Sequence, residues 1–296
     1  MARILVIGGD STIGAALVSY LQKKGESVIT TTRRASTITN SRIYLNLSDT
    51  DDKFRLPGPF DVAIICAGVT KIAACRVDSG GSTKINVDAV SAIARILADD
   101  GTRIVYLSTN QVFDGYVPFP THQTPVSPIT EYGKQKAEVE HRLLSSYPDR
   151  VVILRLTKVI GPHHDLFDKW YQNLKKGETI FPFSNMFIAP IPLSFVVSTL
   201  YQIVKRCSAG VFHLSADRDI SYSEAAFLAA QILNADQNLI VPTSAAESKL
   251  IEEPFPIHTC LNTDRLTLEL GIQPPDATPT VKQFFSSLKA LAEGVR

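Results

Sequence analysis

Tyr132 and Lys136 have the residue types and the spacing of a proton-transfer pair. They lie four residues apart in the segment EYGKQK, at the start of a predicted helix, so both side chains are expected on the same face. A phenol titrates near pH ~10, and a nearby ammonium favours the phenolate and lowers that pKa. Thr109 ends a predicted strand about 23 residues earlier, and its hydroxyl can bond the same substrate oxygen. Thr109, Tyr132 and Lys136 are therefore the predicted catalytic set, with Tyr132 as the proton donor.

The N-terminal segment predicts a turn that receives phosphate groups. The strand ARILVIG runs directly into GGDSTIG, where a helical pattern begins. Gly8 permits a tight turn, Gly14 permits close packing of the helix, and the helix N-terminus favours the negative charge of a pyrophosphate. Gly8, Ser11 and Gly14 have the spacing GxxGxxG with serine at the middle place. A dinucleotide site is the favoured interpretation, and a purely structural turn is the alternative.

The end of the second predicted strand indicates which dinucleotide binds. Folds that bind NAD usually carry an acidic residue ~20 positions beyond the glycines, where it bonds the ribose 2′-hydroxyl. Here the strand ends in three threonines followed by Arg33 and Arg34, and no Asp or Glu occurs between Glu26 and Asp49. Guanidinium groups hold a 2′-phosphate that a carboxylate would repel, so the sequence favours NADP(H). The alternative is that both arginines are a solvated loop pair.

Strands and helices alternate through the first half of the chain. The predicted strands are ARILVIG, SVITTT, RIYLNL, DVAIICAG, TRIVYLST and VVILRLT, and the predicted helices include Ser82 to Asp99 and the segment EYGKQKAEVEHRLLSSY. Near-continuous apolar strands that alternate with helices indicate a parallel sheet covered on both faces. The fold class is therefore α/β, a Rossmann-type doubly wound parallel sheet with a smaller α/β substrate-binding domain.

The pattern changes after Gly161 to a mixture of helices, loops and short β-like stretches. Helices are predicted from Asp165 to Lys175, from Ser194 to Lys205, after Ser221 and from Thr280, and GVFHLSA is a further strand. The expected division gives residues 1–162, with a later contribution from about 193–216, to the NADP-binding Rossmann domain, and residues 163–192 and 217–296 to the substrate-binding domain.

Composition restricts the partners and the compartment. The chain has 296 residues, and 30 basic against 29 acidic residues give a net charge of +1. That balance argues against nucleic acid or an anionic membrane as a partner, and no apolar stretch approaches the ~20 residues that a membrane helix needs. Four cysteines without metal-ligand spacing, Cys66, Cys75, Cys207 and Cys260, predict reduced buried thiols in a cytoplasmic protein. No metal is expected, because the adjacent His163 and His164 have no further ligand nearby.

At this point the chain resembles the extended short-chain dehydrogenase/reductase family. The motifs GGDSTIG, STNQVFDG and YGKQK occur in the family's order, and PVSPITEYGKQKAEVE and LRLTKVIGP look most like its nucleotide-sugar branch, especially the dTDP-4-dehydrorhamnose reductases. The resemblance implies the same catalytic set, Thr109, Tyr132 and Lys136, and a possible homodimer. It also implies cofactor contacts from Gly8, Ser11, Thr12, Ile13, Gly14, Asn46, Leu47, Cys66, Ala67, Gly68, Tyr132 and Lys136.

The chain departs from the family pattern at a few positions. Ser11 replaces the usual middle glycine, Asn46 stands where an aspartate often contacts adenine, and Asn110 follows Thr109 where the reductases commonly have aspartate. The segment FPFSNMFIAPIP, in the predicted substrate region, matches the family poorly. The expected function is an NADPH-dependent reductase of a keto group on a nucleotide-activated sugar. Two alternatives remain open: a redox-neutral epimerase with retained cofactor, and a non-catalytic cofactor-binding regulatory subunit.

Overall fold

A seven-stranded parallel sheet forms the centre of the protein, whose computed structural model describes residues 2–49, 54–206, 209–245 and 254–294. The strands in chain order are β1 (Arg3–Ile7), β2 (Ser27–Thr32), β3 (Arg42–Tyr44), β4 (Val62–Ile65), β5 (Arg103–Thr109), β6 (Val151–Leu156), β7 (Lys158–Ile160), β8 (Phe187–Ile188), β9 (Pro190–Pro192), β10 (Gly210–Leu214) and β11 (Ile220–Ser221). The order across the main sheet is β3-β2-β1-β4-β5-β6-β10, and every neighbouring pair is parallel. The order reverses between β1 and β4, which is where ligands bind in doubly wound folds.

The helices cover both faces of this sheet. They are α1 (Thr12–Lys23), α2 (Ile72–Val77), α3 (Ser79–Thr83), α4 (Val90–Asp99), α5 (Glu131–Ser146), α6 (Asp165–Lys175), α7 (Leu193–Arg206), α8 (Tyr222–Leu233), α9 (Asp264–Leu270) and α10 (Ala277–Ala292). A π-helical segment, Lys84–Ala89, joins α3 to α4. The predicted fold class is confirmed, whereas the long helix predicted from Ser82 to Asp99 is interrupted by this π-helical segment. The division into two domains stays a prediction.

Alternation along the strands divides the core between the two faces. In β1, Ile4 and Val6 pack against the cluster that includes α1 and α7, while Leu5 and Ile7 pack against α4 and α5 on the opposite face. Side chains alternate in this way because successive residues of a strand point to opposite sides of the sheet. The α1 and α7 cluster continues without interruption into α6, α8 and α10.

Two small sheets lie beside the main one. Strands β8 and β11 pair antiparallel, and β7 pairs parallel with β9. They place residues 158–160 and 186–188 near the carboxyl ends of β5 and β6, and side chains from these segments line a cavity at that edge. In the part of the chain that the structure describes, no helix has both the length and the apolar character to cross a bilayer.

Candidate active site

The glycine turn after β1 is closed by its own side chains and backbone. Gly8 has φ of +89°, and a Cβ there would lie 2.8 Å from the backbone nitrogen of Ala67, so only glycine fits. At Gly14 a Cβ would lie 2.2 Å from the carbonyl oxygen of Gly8. The Ser11 hydroxyl donates to the Gly8 carbonyl at 2.7 Å and accepts from the Gly14 backbone N–H at 3.1 Å. Serine at the middle place therefore caps α1 and holds the turn shut.

A groove of about 530 Å³ begins at this turn and crosses the ends of β1, β2 and β4. Most of the cofactor residues expected from the sequence line it: Gly8, Ser11, Thr12, Ile13, Arg33, Asn46, Leu47, Cys66, Ala67 and Gly68. Gly14 lies behind the turn and serves its packing. The sequence therefore selected residues that meet at one edge of the sheet, although their contacts with a cofactor stay a prediction.

The two arginines after β2 differ in position. Arg33 lines the groove and forms no ion pair with any described residue. The Arg34 side chain is largely exposed, and its Nε lies 3.5 Å from a carboxylate oxygen of Asp10. Asp10, inside the glycine turn, also lines the groove, and sequence reasoning overlooked it as a site residue.

The three predicted catalytic residues lie together at a second cavity, which adjoins this groove. Thr109 and Tyr132 line the second cavity, which measures about 750 Å³ and shares Ile13 and Thr70 with the groove. Lys136 is buried beneath them and donates from Nζ to the backbone carbonyl of Leu107 at 2.8 Å. Helix α5 positions both Tyr132 and Lys136, and Thr130 caps it by accepting from the backbone N–H of Gly133 at 3.0 Å.

Burial controls the protonation of this pair. Burial raises the pKa of the Tyr132 phenol well above its ordinary value, and a hydrogen bond with Thr109 only partly opposes this. Burial lowers the pKa of Lys136 to about 8, although the Glu140 carboxylate supports the ammonium. The lowering of the Tyr132 pKa that the spacing to Lys136 led us to expect is therefore not found, since removal of the phenol from water raises that pKa. Tyr132 is protonated at neutral pH, which suits a proton donor.

The π-helical segment carries a further structural residue that the sequence did not point to. Asn86 is buried; its Oδ1 accepts from the backbone N–H of Val69 at 2.7 Å, and its Nδ2 donates to the Val69 carbonyl at 2.9 Å. The same Nδ2 lies 2.8 Å from Oε1 of Gln135, next to Lys136 on α5. Asn86 thus ties the loop after β4, which lines the groove, to the catalytic helix. π-Helical turns often mark functional sites in structures, but they have no sequence signature, so nothing in the sequence indicated Asn86.

A buried polar network supports α5 from below. Arg155 on β6 binds Glu140 on α5 through three contacts of 3.1, 3.1 and 2.6 Å, and the Ser108 hydroxyl donates to the same carboxylate. His213 lies 3.3 Å from Arg155, and its Nδ1 lies 3.0 Å from the Asn262 carbonyl. Burial and the charge of Arg155 lower the pKa of His213 to about 3, so it is neutral and accepts from the guanidinium. The ion pair is therefore fully hydrogen-bonded.

Among the described residues, two cationic side chains and no carboxylate line the second cavity. Its lining includes Arg76 and Lys158 among hydroxyl, amide and apolar groups, and no Asp or Glu of the described residues contributes. Desolvation lowers the pKa of Lys158, while Asp165 opposes this. Apolar side chains from the C-terminal half complete the walls: Met186, Phe187, Ile188, Tyr222, Pro254, Phe255 and Pro256. The sequence placed Met186, Phe187 and Ile188 in the predicted substrate region, but none of the seven was singled out as a site residue, because they come from distant segments.

The cysteine and histidine side chains of the described residues do not converge on a common point. No group of three or more metal-binding side chains converges within this part of the chain. Cys66, Cys75 and Cys260 are free, and Cys207 lies outside the described residues. His163 is largely exposed, whereas His164 caps α6 and packs at a tilt against the ring of Phe167.

Comparison with known proteins identifies the family. A family model described as the RmlD substrate binding domain matches residues 2–290. The chain belongs to this family. The resemblance to the nucleotide-sugar branch of the extended short-chain dehydrogenases/reductases is thereby confirmed.

Relatives in the family differ in what they do. The chain is 25% identical to a probable low-salt glycan biosynthesis reductase of Haloferax volcanii, over 96% of each chain. It is also 25% identical to the dTDP-4-dehydrorhamnose reductase of Aggregatibacter actinomycetemcomitans, over 99% of this chain and 100% of that one. Methionine adenosyltransferase 2 subunit beta of Mus musculus is 24% identical, over 93% of this chain and 85% of that protein.

Solved structures of family members share the fold. A dTDP-4-dehydrorhamnose reductase from Clostridium acetobutylicum superposes with a TM-score of 0.84 at 22% identity, covering 97% of this chain and 99% of that one. The corresponding enzyme from Bacillus anthracis, solved in complex with NADP, gives a TM-score of 0.82 at 19% identity, covering 96% and 97%. These likenesses confirm the doubly wound architecture.

Proposed function

We propose that this protein is an NADPH-dependent reductase of a keto group on a nucleotide-activated sugar. The observation that carries the proposal is the position of Tyr132: a buried, protonated phenol beside Thr109, in a cavity that adjoins the groove after β1. The reductases among the relatives support the same reaction class.

The groove fits a dinucleotide cofactor. Gly8 and Gly68 leave open a cradle that a Cβ would close, since at Gly68 it would lie 2.9 Å from Oδ1 of Asn86. The α1 N-terminus faces this cradle, which suits a pyrophosphate. Arg33 at the far end suits a 2′-phosphate, and Lys136 and Tyr132 are the residues for the nicotinamide ribose. When bound, NADPH supplies the hydride for the reduction.

The residues of the chain manage the proton and the developing charge. As the carbonyl carbon is reduced, negative charge grows on the keto oxygen, and the Tyr132 phenol gives that oxygen its proton. The Thr109 hydroxyl fixes the position of the same oxygen. The Lys136 ammonium, with Nζ 5.8 Å from the centre of the Tyr132 ring, stabilises the phenolate that remains. Burial of all three groups keeps water away from the proton transfer.

The cavity suits an anionic substrate. Lys158 offers a cation for the diphosphate of a nucleotide sugar, and no described carboxylate in the lining would repel it. Apolar walls that include Phe187, Tyr222 and Phe255 suit the faces of a base and a sugar ring. This combination favours a nucleotide-activated sugar over a neutral small ketone.

Dehydration of the sugar is a poorer fit. Elimination of water needs a general acid and a general base beside the sugar carbons. The positions that follow Thr109 are Asn110 and Gln111, and both line the cavity. Neither amide titrates, so neither can act as a general acid or base. The site therefore favours reduction of a keto group over elimination of water.

A non-catalytic regulatory subunit is the second candidate, favoured by the similarity to methionine adenosyltransferase 2 subunit beta. A retained Thr109, Tyr132 and Lys136 set counts against it, because a regulatory subunit needs the fold but not the proton donor. A redox-neutral epimerase is the third, and a tightly retained cofactor in the purified protein would indicate it. We further propose a cytoplasmic homodimer, which light scattering after size-exclusion chromatography would test.

The decisive experiment is a panel of nucleotide 4-keto sugars with NADPH oxidation followed in single turnovers. Tyr132→Phe removes the donor and keeps the ring, so turnover should fall about 10²–10⁴-fold while NADPH affinity is retained. Lys136→Met should reduce both turnover and NADPH affinity, and Thr109→Val should cost less than either.

Two results would contradict the proposal. Near-normal turnover of Tyr132→Phe would refute the proton-donor mechanism. A wild-type protein that binds NADPH but reduces no member of the panel would favour the regulatory subunit.

A further inference from the structure

A carboxylate occupies the place in the groove where dinucleotide folds usually hold the adenosine ribose. That carboxylate normally follows β2, and here β2 is followed by Arg33 and Arg34. Asp10 reaches the same place from the glycine turn: its Oδ2 accepts a hydrogen bond of 2.7 Å from the Thr32 hydroxyl, at the last residue of β2. Asp10 also lines the groove. The acidic residue absent from the end of β2 is therefore supplied by another part of the chain.

Two guanidinium groups surround this carboxylate. Arg42, the first residue of β3, forms an ion pair with Oδ1 of Asp10, and Nε of Arg34 lies 3.5 Å from Oδ2. Partial burial raises the pKa of Asp10, but the Thr32 hydroxyl and the two arginines together hold it below its ordinary value. Asp10 is thus ionised at neutral pH, and the positive charges of Arg34 and Arg42 offset its negative charge.

A carboxylate and a phosphate compete at this position. An ionised carboxylate accepts a hydrogen bond from a ribose 2′-hydroxyl, whereas it repels a 2′-phosphate. Guanidinium groups have the opposite preference, because they bind phosphate through paired donors. Of the three nearby arginines, Arg33 lines the groove and is not paired with Asp10, so its guanidinium would remain available to a 2′-phosphate.

We propose that Asp10 is the coenzyme-discriminating residue of this groove: its carboxylate favours the ribose 2′-hydroxyl of NADH, and Arg34 and Arg42 offset its charge so that NADPH is accepted. The inference rests on the proposed dinucleotide-binding function and deepens it. It assigns selectivity to a balance among Asp10, Arg34 and Arg42, rather than to the arginine pair after β2 alone.

The test compares the dissociation constants of NADPH and NADH by isothermal titration calorimetry, which requires no sugar substrate. Asp10→Asn keeps an acceptor for Thr32 and removes the charge, so NADPH affinity should rise about three- to tenfold and NADH affinity should fall by a similar factor. Arg42→Gln exposes the carboxylate charge, so NADPH affinity should fall about tenfold with little change for NADH. The double variant should recover most of the NADPH affinity lost in Arg42→Gln.

A matched control pair lies elsewhere on the surface. Arg218 and Glu224 form an exposed ion pair of 2.6 Å outside the groove, and Arg218→Gln and Glu224→Gln should change neither constant. Thermal denaturation checks that each variant is folded, and Arg34→Gln provides a second test if Arg42→Gln does not fold, with the same direction and a smaller effect.

The outcomes separate this inference from the proposed function. An unchanged NADH to NADPH ratio in Asp10→Asn, or an equal loss of both coenzymes, would overturn the discriminating role while leaving dinucleotide binding intact. A wild-type protein that binds neither coenzyme would overturn both.

Discussion

Replacing Arg155 by methionine tests the buried network beneath the catalytic helix. Arg155 and Glu140 have side chains only 5% and 3% exposed, and the guanidinium makes three contacts with the carboxylate. Arg155→Met has a similar length and no charge, so it leaves the Glu140 carboxylate buried with Ser108 as its remaining hydrogen-bond donor among the described residues. The neutral His213 cannot replace the lost positive charge.

The expected cost is about 3–5 kcal/mol of unfolding free energy, the usual penalty for an uncompensated buried charge. The Lys136 ammonium also lies near Glu140 and partly compensates its charge, so we expect a cost at the lower end of that range. A chain of 296 residues unfolds with an entropy of about 0.6 kcal/mol per kelvin, so the midpoint of thermal unfolding should fall by about 5–8 °C.

Calorimetric and urea unfolding measure this loss, with Arg142→Met as the control. Arg142 lies on the same helix as Glu140, and its 2.7 Å ion pair with Glu138 is about half exposed, so its loss should cost under about 1 kcal/mol. The double variant Arg155→Met with Glu140→Gln should recover stability, because the buried charge is gone. A cost of less than about 1 kcal/mol for Arg155→Met, or no recovery in the double variant, would refute the reasoning.

Two other changes test the site directly. Gly14→Ala should lower the thermal midpoint and abolish its rise on addition of NADPH, because a Cβ at Gly14 would lie 2.2 Å from the Gly8 carbonyl oxygen; a normal NADPH-induced rise in differential scanning fluorimetry would contradict this. Turnover should fall as the pH rises through about 8, the pKa to which burial brings Lys136, since the ammonium is lost above it. In Glu140→Gln the fall should move to lower pH, because the carboxylate that supports that charge is gone, and an unmoved pH–rate profile would count against the assignment.

The sequence was sufficient wherever the chemistry lies in one short segment. Tyr132 and Lys136 share one helical turn, and the glycine turn is contiguous, so their places at the start of α5 and after β1 followed from spacing, while their roles stay a prediction. Six apolar strands separated by helices likewise predicted the parallel sheet, because a strand buried on both faces has a near-continuous apolar sequence.

Residues that meet only through the tertiary fold escaped prediction. Asp10 reaches the end of β2 from the turn after the neighbouring strand β1, and Arg42 joins it from β3, so no linear pattern connects them. The cavity walls from residues 186–188 and 254–256 depend on how the C-terminal half packs onto the sheet. The pKa of Tyr132 was misjudged for the same reason: the spacing revealed the ammonium, but the degree of burial is a property of the whole fold.

The uninterrupted hydrophobic cluster beneath the sheet has a consequence for motion. Side chains of α6, α8 and α10 pack in the same cluster as those of β1, β4 and β6, so a rigid swing of the C-terminal half would expose core side chains to water. The two halves are therefore expected to lose their structure together in one cooperative transition. A bulky ligand would then enter and leave by movement at the rim of the cavity. The segment 254–256 contributes side chains there that lie outside this cluster. We therefore expect local motion at the entrance of the cavity, while the strand and the helix that carry Thr109, Tyr132 and Lys136 stay fixed.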